Sequence, residues 1–270
     1  MSIFQAIILG FVQGLAEFLP ISSSGHLVLM ENIFGFERAG LTFDIVLHLG
    51  TLTALLLFFW RDWIKIIKSF FGSLKSWNLK NDAEQRLAWF LLIATIPGAI
   101  FGYFLEEKTE TVFRNTLLIA LALASLGILL ILAEHMSKKR KDFASMNWLD
   151  SLLIGLSQAL ALIPGVSRSG ITITMGLFRD LKREVAIRFS FLLSTPIIFG
   201  AGLSHLSKIV KLTSTNGTFL ILVLGFLASA VSGYLAIKYL LKYVEKHTLD
   251  IFAYYRFLLA VVVIIYLLIK

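Results

Sequence analysis

The sequence predicts an all-α polytopic membrane protein, with six transmembrane helices and two re-entrant helical hairpins in an inverted-topology internal repeat. Three observations carry this prediction. The 270 residues are 57% hydrophobic and 16% charged, with a mean hydropathy of +0.83, against roughly 45–50% apolar and about 25% charged in an ordinary globular chain. The apolar residues fall in blocks of about twenty, the length a helix needs to cross a hydrocarbon layer ~30 Å thick. One apolar segment, broken at its middle by Pro, Ser and Gly, occurs twice, 145 residues apart.

Residues 1–30 hold the first broken segment. Each half is too short to span, so the chain is expected to turn back within the membrane, where irregular backbone is tolerated only if protein or a wet cavity covers it. It is not expected to be a cleavable signal peptide, because it lacks a basic n-region and carries Gln5, Gln13 and Glu17 in its apolar run. Spans follow over 41–60, 87–105 and 117–133. A basic linker over 134–148 leads to the second broken segment, 149–179, and to spans over 185–206, 218–241 and 251–269. The chain therefore reads as one integral membrane domain, 1–270, built of halves 1–133 and 149–270.

The two broken segments match residue by residue. Gly10, Gln13, Ala16, Ser22, Ser24 and Gly25 recur 145 positions on as Gly155, Gln158, Ala161, Ser167, Ser169 and Gly170, and Pro20 recurs as Pro164. Three spans separate the copies, so the second is expected to enter the membrane upside down. Such repeats place a site near the midplane, where the half-helices of the two copies meet.

If both hairpins return to the side they entered, six Lys and Arg lie on one side (Arg38, Lys108, Arg114, Lys208, Lys211 and Lys270) and seventeen on the other, with Arg168 and Arg256 inside. The richer side is cytoplasmic by the positive-inside rule, which puts both termini outside the cell membrane. The net charge of +8 thus reads as loops beside anionic lipid and not as nucleic-acid binding. Lys138–Lys141 is expected to be a solvated linker. With no cysteine in the chain, disulfides, thiolate nucleophiles and Cys-ligated metals are excluded.

The candidate chemistry lies in the two breaks. Gln13 and Glu17 are one helical turn apart, and an ionisable group inside a membrane is costly enough to be a functional candidate by default. Glu17 and His26 both qualify, the alternative being that Glu17 only caps or pairs locally. Ser22, Ser23 and Ser24 precede a new apolar run, as at a helix N-terminus that binds anions through hydroxyls and free N–H groups. The second break supplies Ser167, Arg168, Ser169 and Thr172. Arg168 presents a fork suited to phosphate oxygens, or a partner for Glu17, and the two readings are compatible. Together these residues suggest a phosphate site inside the membrane, with a phosphorylated lipid as ligand. Asp44 and His48 read either as a local pair or as support for His26, and Arg256 as a counter-charge for Asp44 or a ligand contact. Gly98, Gly102, Gly225 and Gly233 are expected to allow close helix packing, and His135, His205 and His247 to be interfacial.

The segment from Gln13 to His26 and the run from Pro164 to Thr172 resemble the two signature motifs of the undecaprenyl-pyrophosphate phosphatase family, the bacitracin-resistance proteins. The resemblance covers essentially the whole chain. It implies a membrane hydrolase that removes one phosphate from the C55 lipid pyrophosphate, regenerating the carrier used in cell-wall synthesis. It also implies a Mg²⁺ or Ca²⁺ dependence, and with no Asp-rich motif the cation is expected on Glu17 together with the pyrophosphate. Expected partners are the polyprenyl pyrophosphate, membrane lipid and, as a homodimer, a second copy of the chain. The mechanism expected is attack by Ser23 on the terminal phosphorus, with Glu17 or His26 as general base, or direct attack by water. Ser22, Ser24, Arg168, Ser167, Ser169 and Thr172 would bind the phosphates. The alternative class is a transporter or flippase of such a lipid, since broken inverted repeats also build transporters.

Overall fold

The computed structural model describes residues 1–36, 40–76, 79, 82–111, 115–213 and 218–269. Of the residues in the charge count, Arg38, Lys80, Arg114 and Lys270 lie outside these, as does the side chain of Lys108. Twelve helices are described, in the order α1 (Ile3–Phe18), α2 (Ser23–Phe34), α3 (Leu41–Phe58), α4 (Trp60–Lys75), α5 (Ala83–Thr111), α6 (Thr116–Met136), α7 (Trp148–Ala159), α8 (Arg168–Phe178), α9 (Arg183–Ser204), α10 (Leu206–Thr213), α11 (Thr218–Val244) and α12 (Asp250–Ile269). A 3-10 turn at Leu160–Leu162 extends α7, and the one extended pairing among the described residues is an isolated bridge between Lys141 and Leu181.

Six helices, α3, α5, α6, α9, α11 and α12, are long and apolar enough to cross a membrane. They stand where the sequence predicts spans, with ends shifted by a few residues. The sequence reading leaves out α4 and α10. In α4 the exposed residues Trp60, Ile64, Ile67, Phe71 and Leu74 form a stripe at helical spacing, which marks an amphipathic surface helix. The charges among them, Arg61, Lys65, Lys68 and Lys75, obscure it in a search for uninterrupted apolar runs.

The two broken segments start alike. Ser2 caps α1 through a capping box with Gln5, and Asn147 caps α7 through the same arrangement with Asp150. The α1 helix packs chiefly on α11, α7 on α5, and α6 on α12. Glycine permits the first two contacts. A Cβ at Gly10 would lie 2.3 Å from the Gly225 carbonyl oxygen, and one at Gly155, its match 145 residues on, 2.5 Å from that of Ala94. Among the glycines expected to serve packing, Gly98, Gly225 and Gly233 face close neighbours, whereas Gly102 faces open space.

The basic linker is not a free solvated strand. Lys138 N–H donates to Asp180 Oδ1 at 2.7 Å, and the N–H groups of Arg140 and Lys141 donate to the Asp180 carbonyl. Lys141 and Arg179 both bind the fully buried Asp150 at the start of α7. Arg183 and Lys139 likewise flank the buried Glu134 at the end of α6. The linker is thus fastened to the turn between α8 and α9.

Arg256, on α12, is completely buried and bonds neither Asp44 nor the cavity described below. Its Nε donates to the Leu123 carbonyl at 3.0 Å, Nη1 to Pro20 at 3.1 Å, and Nη2 to Gly165 at 2.7 Å and Ala122 at 3.3 Å. One guanidinium therefore ties α12 and α6 to both helix breaks. Arg256→Leu leaves these carbonyls without their donor in a dry interior and is expected to destabilise the fold by about 3 kcal/mol or more, seen as a lower melting temperature in detergent; an unchanged melt would refute the clamp.

Candidate active site

Each break is shaped by the same local chemistry. Proline has no N–H to continue a helix, so α1 stops before Pro20, and the 3-10 turn after α7 stops before Pro164. The chain then re-enters a helix through a serine held in the left-handed region, Ser22 at φ 75° and Ser167 at φ 69°. A non-glycine residue there is strained by about 1–3 kcal/mol and persists only where its surroundings fix it. The fixing contacts match: Ser22 Oγ accepts from Gly25 N–H at 3.3 Å and Ser167 Oγ from Gly170 N–H at 3.0 Å. The first residues of the helices so started are Ser23 in α2 and Arg168 in α8.

Both face Glu17, in the last turn of α1. Glu17 is 6% exposed. One carboxylate oxygen is ion-paired with Arg168 Nη2. The other accepts from Ser23 Oγ at 2.5 Å and from Gln13 Nε2 at 3.0 Å, and lies 3.5 Å from His48 Nε2. His48 Nδ1–H donates to the Asp44 carbonyl at 2.8 Å, which turns Nε2 toward the carboxylate. A carboxylate this buried is tolerable because a permanent cation and hydrogen bonds occupy both oxygens.

The carboxylate, Ser23 and Arg168 line a cavity of about 550 Å³. Of the residues singled out in the sequence, Ser24, Asp44, His48 and Ser167 are also on its wall. Gln13 supports Glu17 from behind. Four others are not on the wall. Ser22 is fully buried as the α2 cap. Ser169 Oγ donates to the Leu19 carbonyl at 3.2 Å, joining the two breaks. The Thr172 hydroxyl lies 2.7 Å from Ser190 Oγ and donates to the Arg168 carbonyl at 2.8 Å. His26 points to α12, where Nδ1–H donates to the Ser22 carbonyl at 2.7 Å and Nε2 lies 2.7 Å from the Tyr255 hydroxyl. His26, expected as general base or as an aid to the leaving group, thus lies off the cavity wall, and the histidine within reach of Glu17 is His48.

The sequence reading also misses part of the wall. His205, expected at the interface, is 5% exposed and lines the cavity, as do Glu31 and Gln158. His135, by contrast, pairs with Asp250, and His247 stacks on Tyr243. Among the described residues no three His, Cys, Asp or Glu side chains stand close enough to hold a metal ion.

A hydroxyl aimed at a carboxylate, a cation and two helix N-termini thus meet in a bundle with six helices able to cross a membrane, the architecture of an integral membrane protein. Residues 6–262 match the family described as "Bacitracin resistance protein BacA". The chain belongs to that family. It is 49% identical to a protein of Pelotomaculum thermopropionicum, over 98% of this chain and 97% of the relative, and 49% identical to one of Desulforudis audaxviator over the whole of both. A protein of Methanosphaera stadtmanae is 43% identical over 98% of each. All three carry the name undecaprenyl-diphosphatase.

The buried pair makes a stability prediction that does not depend on the reaction. Glu17→Gln and Arg168→Met are each expected to cost about 3–5 kcal/mol by stranding a charge, whereas the double variant costs less than the sum. Melting temperatures of the four proteins in detergent measure this, and strict additivity would exclude the pairing.

Proposed function

We propose that the chain hydrolyses undecaprenyl pyrophosphate to undecaprenyl phosphate and inorganic phosphate in the cell membrane, and thereby supports cell-wall synthesis and resistance to bacitracin. The observation that carries this reading is the Ser23–Glu17–Arg168 arrangement on one cavity wall, and the family and its named relatives agree with it. Ser23 Oγ attacks the terminal phosphorus, its proton passes to Glu17 Oε2, the lipid monophosphate leaves, and water then hydrolyses the phosphoserine. Arg168 moves from the carboxylate to the phosphoryl oxygens, where negative charge spreads in the transition state. Ser24, Ser167 and the N–H groups at the starts of α2 and α8 add donors. His48, within reach of Glu17, takes the supporting proton-transfer role that the sequence suggests for His26.

A divalent cation, Mg²⁺ or Ca²⁺, fits the donor set only as a companion of the substrate. Glu17 and the pyrophosphate oxygens would hold it, and it would neutralise charge on the phosphates.

The twelve helices divide into two sets of six, α1–α6 and α7–α12, each a broken helix pair, a span, a short helix and two spans. This order, the matched serine caps and the odd number of intervening spans support two re-entrant hairpins in an inverted repeat. The charge distribution supports extracytoplasmic termini and a cytoplasmic linker.

Two experiments test these readings. Release of phosphate from C55 pyrophosphate by purified protein, with and without EDTA, should fall by roughly 10²–10⁴-fold in Glu17→Ala and at least as far in Ser23→Ala, while His26→Gln keeps more activity than His48→Ala; full activity in Ser23→Ala would leave water as the nucleophile. For topology, single cysteines at Ser2 and Lys139 in intact cells should be labelled and protected, respectively, by a membrane-impermeant reagent, and equal behaviour would overturn the orientation.

A further inference from the structure

Gln158 is the last residue but one of α7, 145 residues after Gln13, but its surroundings differ. Gln13 has Glu17 to donate to; the residue at the matching place in the second copy is Leu162. Gln158 is 4% exposed and contributes to the cavity wall, and both its amide atoms are buried and without a hydrogen-bond partner among the described residues. Buried polar groups are nearly always paired, so an unpaired amide on a cavity wall calls for an account.

The place of the amide tells what would pair with it. It lies against α5 at Gly98, where a Cβ would stand 2.4 Å from Nε2 and 3.3 Å from Ile197 Cδ1 of α9. The absence of a side chain at position 98 is what makes room for it. Further along the same helices, Gly102 and Gly200 line the cavity with nothing within 4 Å of an added Cβ. The amide therefore lies against the α5–α9 wall, whose lining includes Ala99, Pro196 and Ile197 and leaves open space at Gly102 and Gly200, a mainly apolar surface suited to a hydrocarbon chain. Ser23, Glu17 and Arg168 line the same cavity.

We propose that the Gln158 amide, turning out from its notch against Gly98, binds the lipid-side phosphate of the pyrophosphate by donating Nε2–H to its oxygens, while the prenyl chain leaves along the glycine-lined wall. This rests on the hydrolase reading above and adds the residue that holds the leaving group. An uncharged donor suits that place: it stabilises the monophosphate as the P–O bond to the terminal phosphorus breaks, without the tight product binding a second arginine would give.

The test uses the full chain in detergent, with C55 pyrophosphate as substrate and C55 monophosphate and inorganic phosphate as separate inhibitors. In Gln158→Leu, kcat/KM should fall and the inhibition constant of the lipid monophosphate rise, each by about tenfold or more, the worth of one hydrogen bond to a charged group. Inhibition by inorganic phosphate should not change. The variant should melt at or above the wild-type temperature, because an unpaired buried amide has been replaced by an apolar side chain. Gln158→Glu, which places an anion there, should weaken monophosphate binding further. Wild-type kinetics and monophosphate inhibition in Gln158→Leu would overturn the proposal, as would a lower melting temperature with equal losses for both inhibitors, the mark of a structural amide. A wild-type protein that binds the monophosphate without hydrolysing the pyrophosphate would sink the hydrolase reading, and the effect of Gln158→Leu on that binding would still decide this one.

Discussion

A helix interrupted in the packed interior of a helical bundle leaves carbonyl and N–H groups there in need of partners, at a cost of several kcal/mol for each group left unpaired. This chain interrupts two helices, and Arg256 is the main answer to both. Its guanidinium brings up to five donors in one rigid plane, and the structure uses them on Pro20 and Gly165, one carbonyl from each break, and on two carbonyls of α6. The charge is balanced by carbonyl dipoles and not by a carboxylate. The serine caps and the bond from Ser169 to the Leu19 carbonyl complete the arrangement. Because both breaks are held through the same side chain, the strained Ser22 and Ser167 are fixed relative to one another.

The geometry of the site follows from that fixing. Ser23 and Arg168 are matching residues of the two copies, each the first of its helix, and the convergence of the breaks brings both to Glu17. The copies share a backbone design and divide the chemistry. The first keeps a carboxylate at position 17 and a hydroxyl at position 23; the second has Leu162 and Arg168 there. The difference between the copies thus sets a hydroxyl and a carboxylate from one opposite a permanent cation from the other, the pairing that the proposed reaction uses.

Much of this was legible in the sequence. Block length gave the six spans, the Pro–Ser–Gly clusters gave the breaks, and the expense of a membrane carboxylate pointed to Glu17. What was hidden depended on rotation about helix axes and on distant contacts. Ser23, Ser24, Leu27, Val28 and Glu31 share the cavity face of α2; at 100° per residue His26 falls about 130° from the middle of that face, so closeness in sequence to Ser23 misled. His48 reaches Glu17 from another helix, which no local motif announces. Arg256 and His205 looked like isolated polar residues because their partners lie far off in sequence or on a cavity wall. The fastening of the linker to Asp180 and Asp150 is invisible for the same reason: a run of four basic residues reads as solvated until the buried carboxylate of Asp150 and the Asp180 turn are known to lie beside it.

The same contacts bear on the choice between hydrolysis and transport. A transporter built from broken repeats works by moving one repeat against the other around a midplane site. Here three ties cross between the breaks: Arg256 bonds both of them, Ser169 donates to the Leu19 carbonyl, and Glu17 pairs with Arg168. Only the last involves groups on the cavity wall that an anionic ligand could exchange with its own oxygens; the other two lie in the packed interior, where an arriving phosphate offers nothing in return. Rocking the repeats would have to break both without compensation, whereas phosphoryl transfer at Ser23 asks for movement of the Arg168 and Glu17 side chains alone. The contacts that rocking would break are thus ones that an arriving phosphate cannot replace, and the one it can replace is the ion pair at the proposed reaction centre.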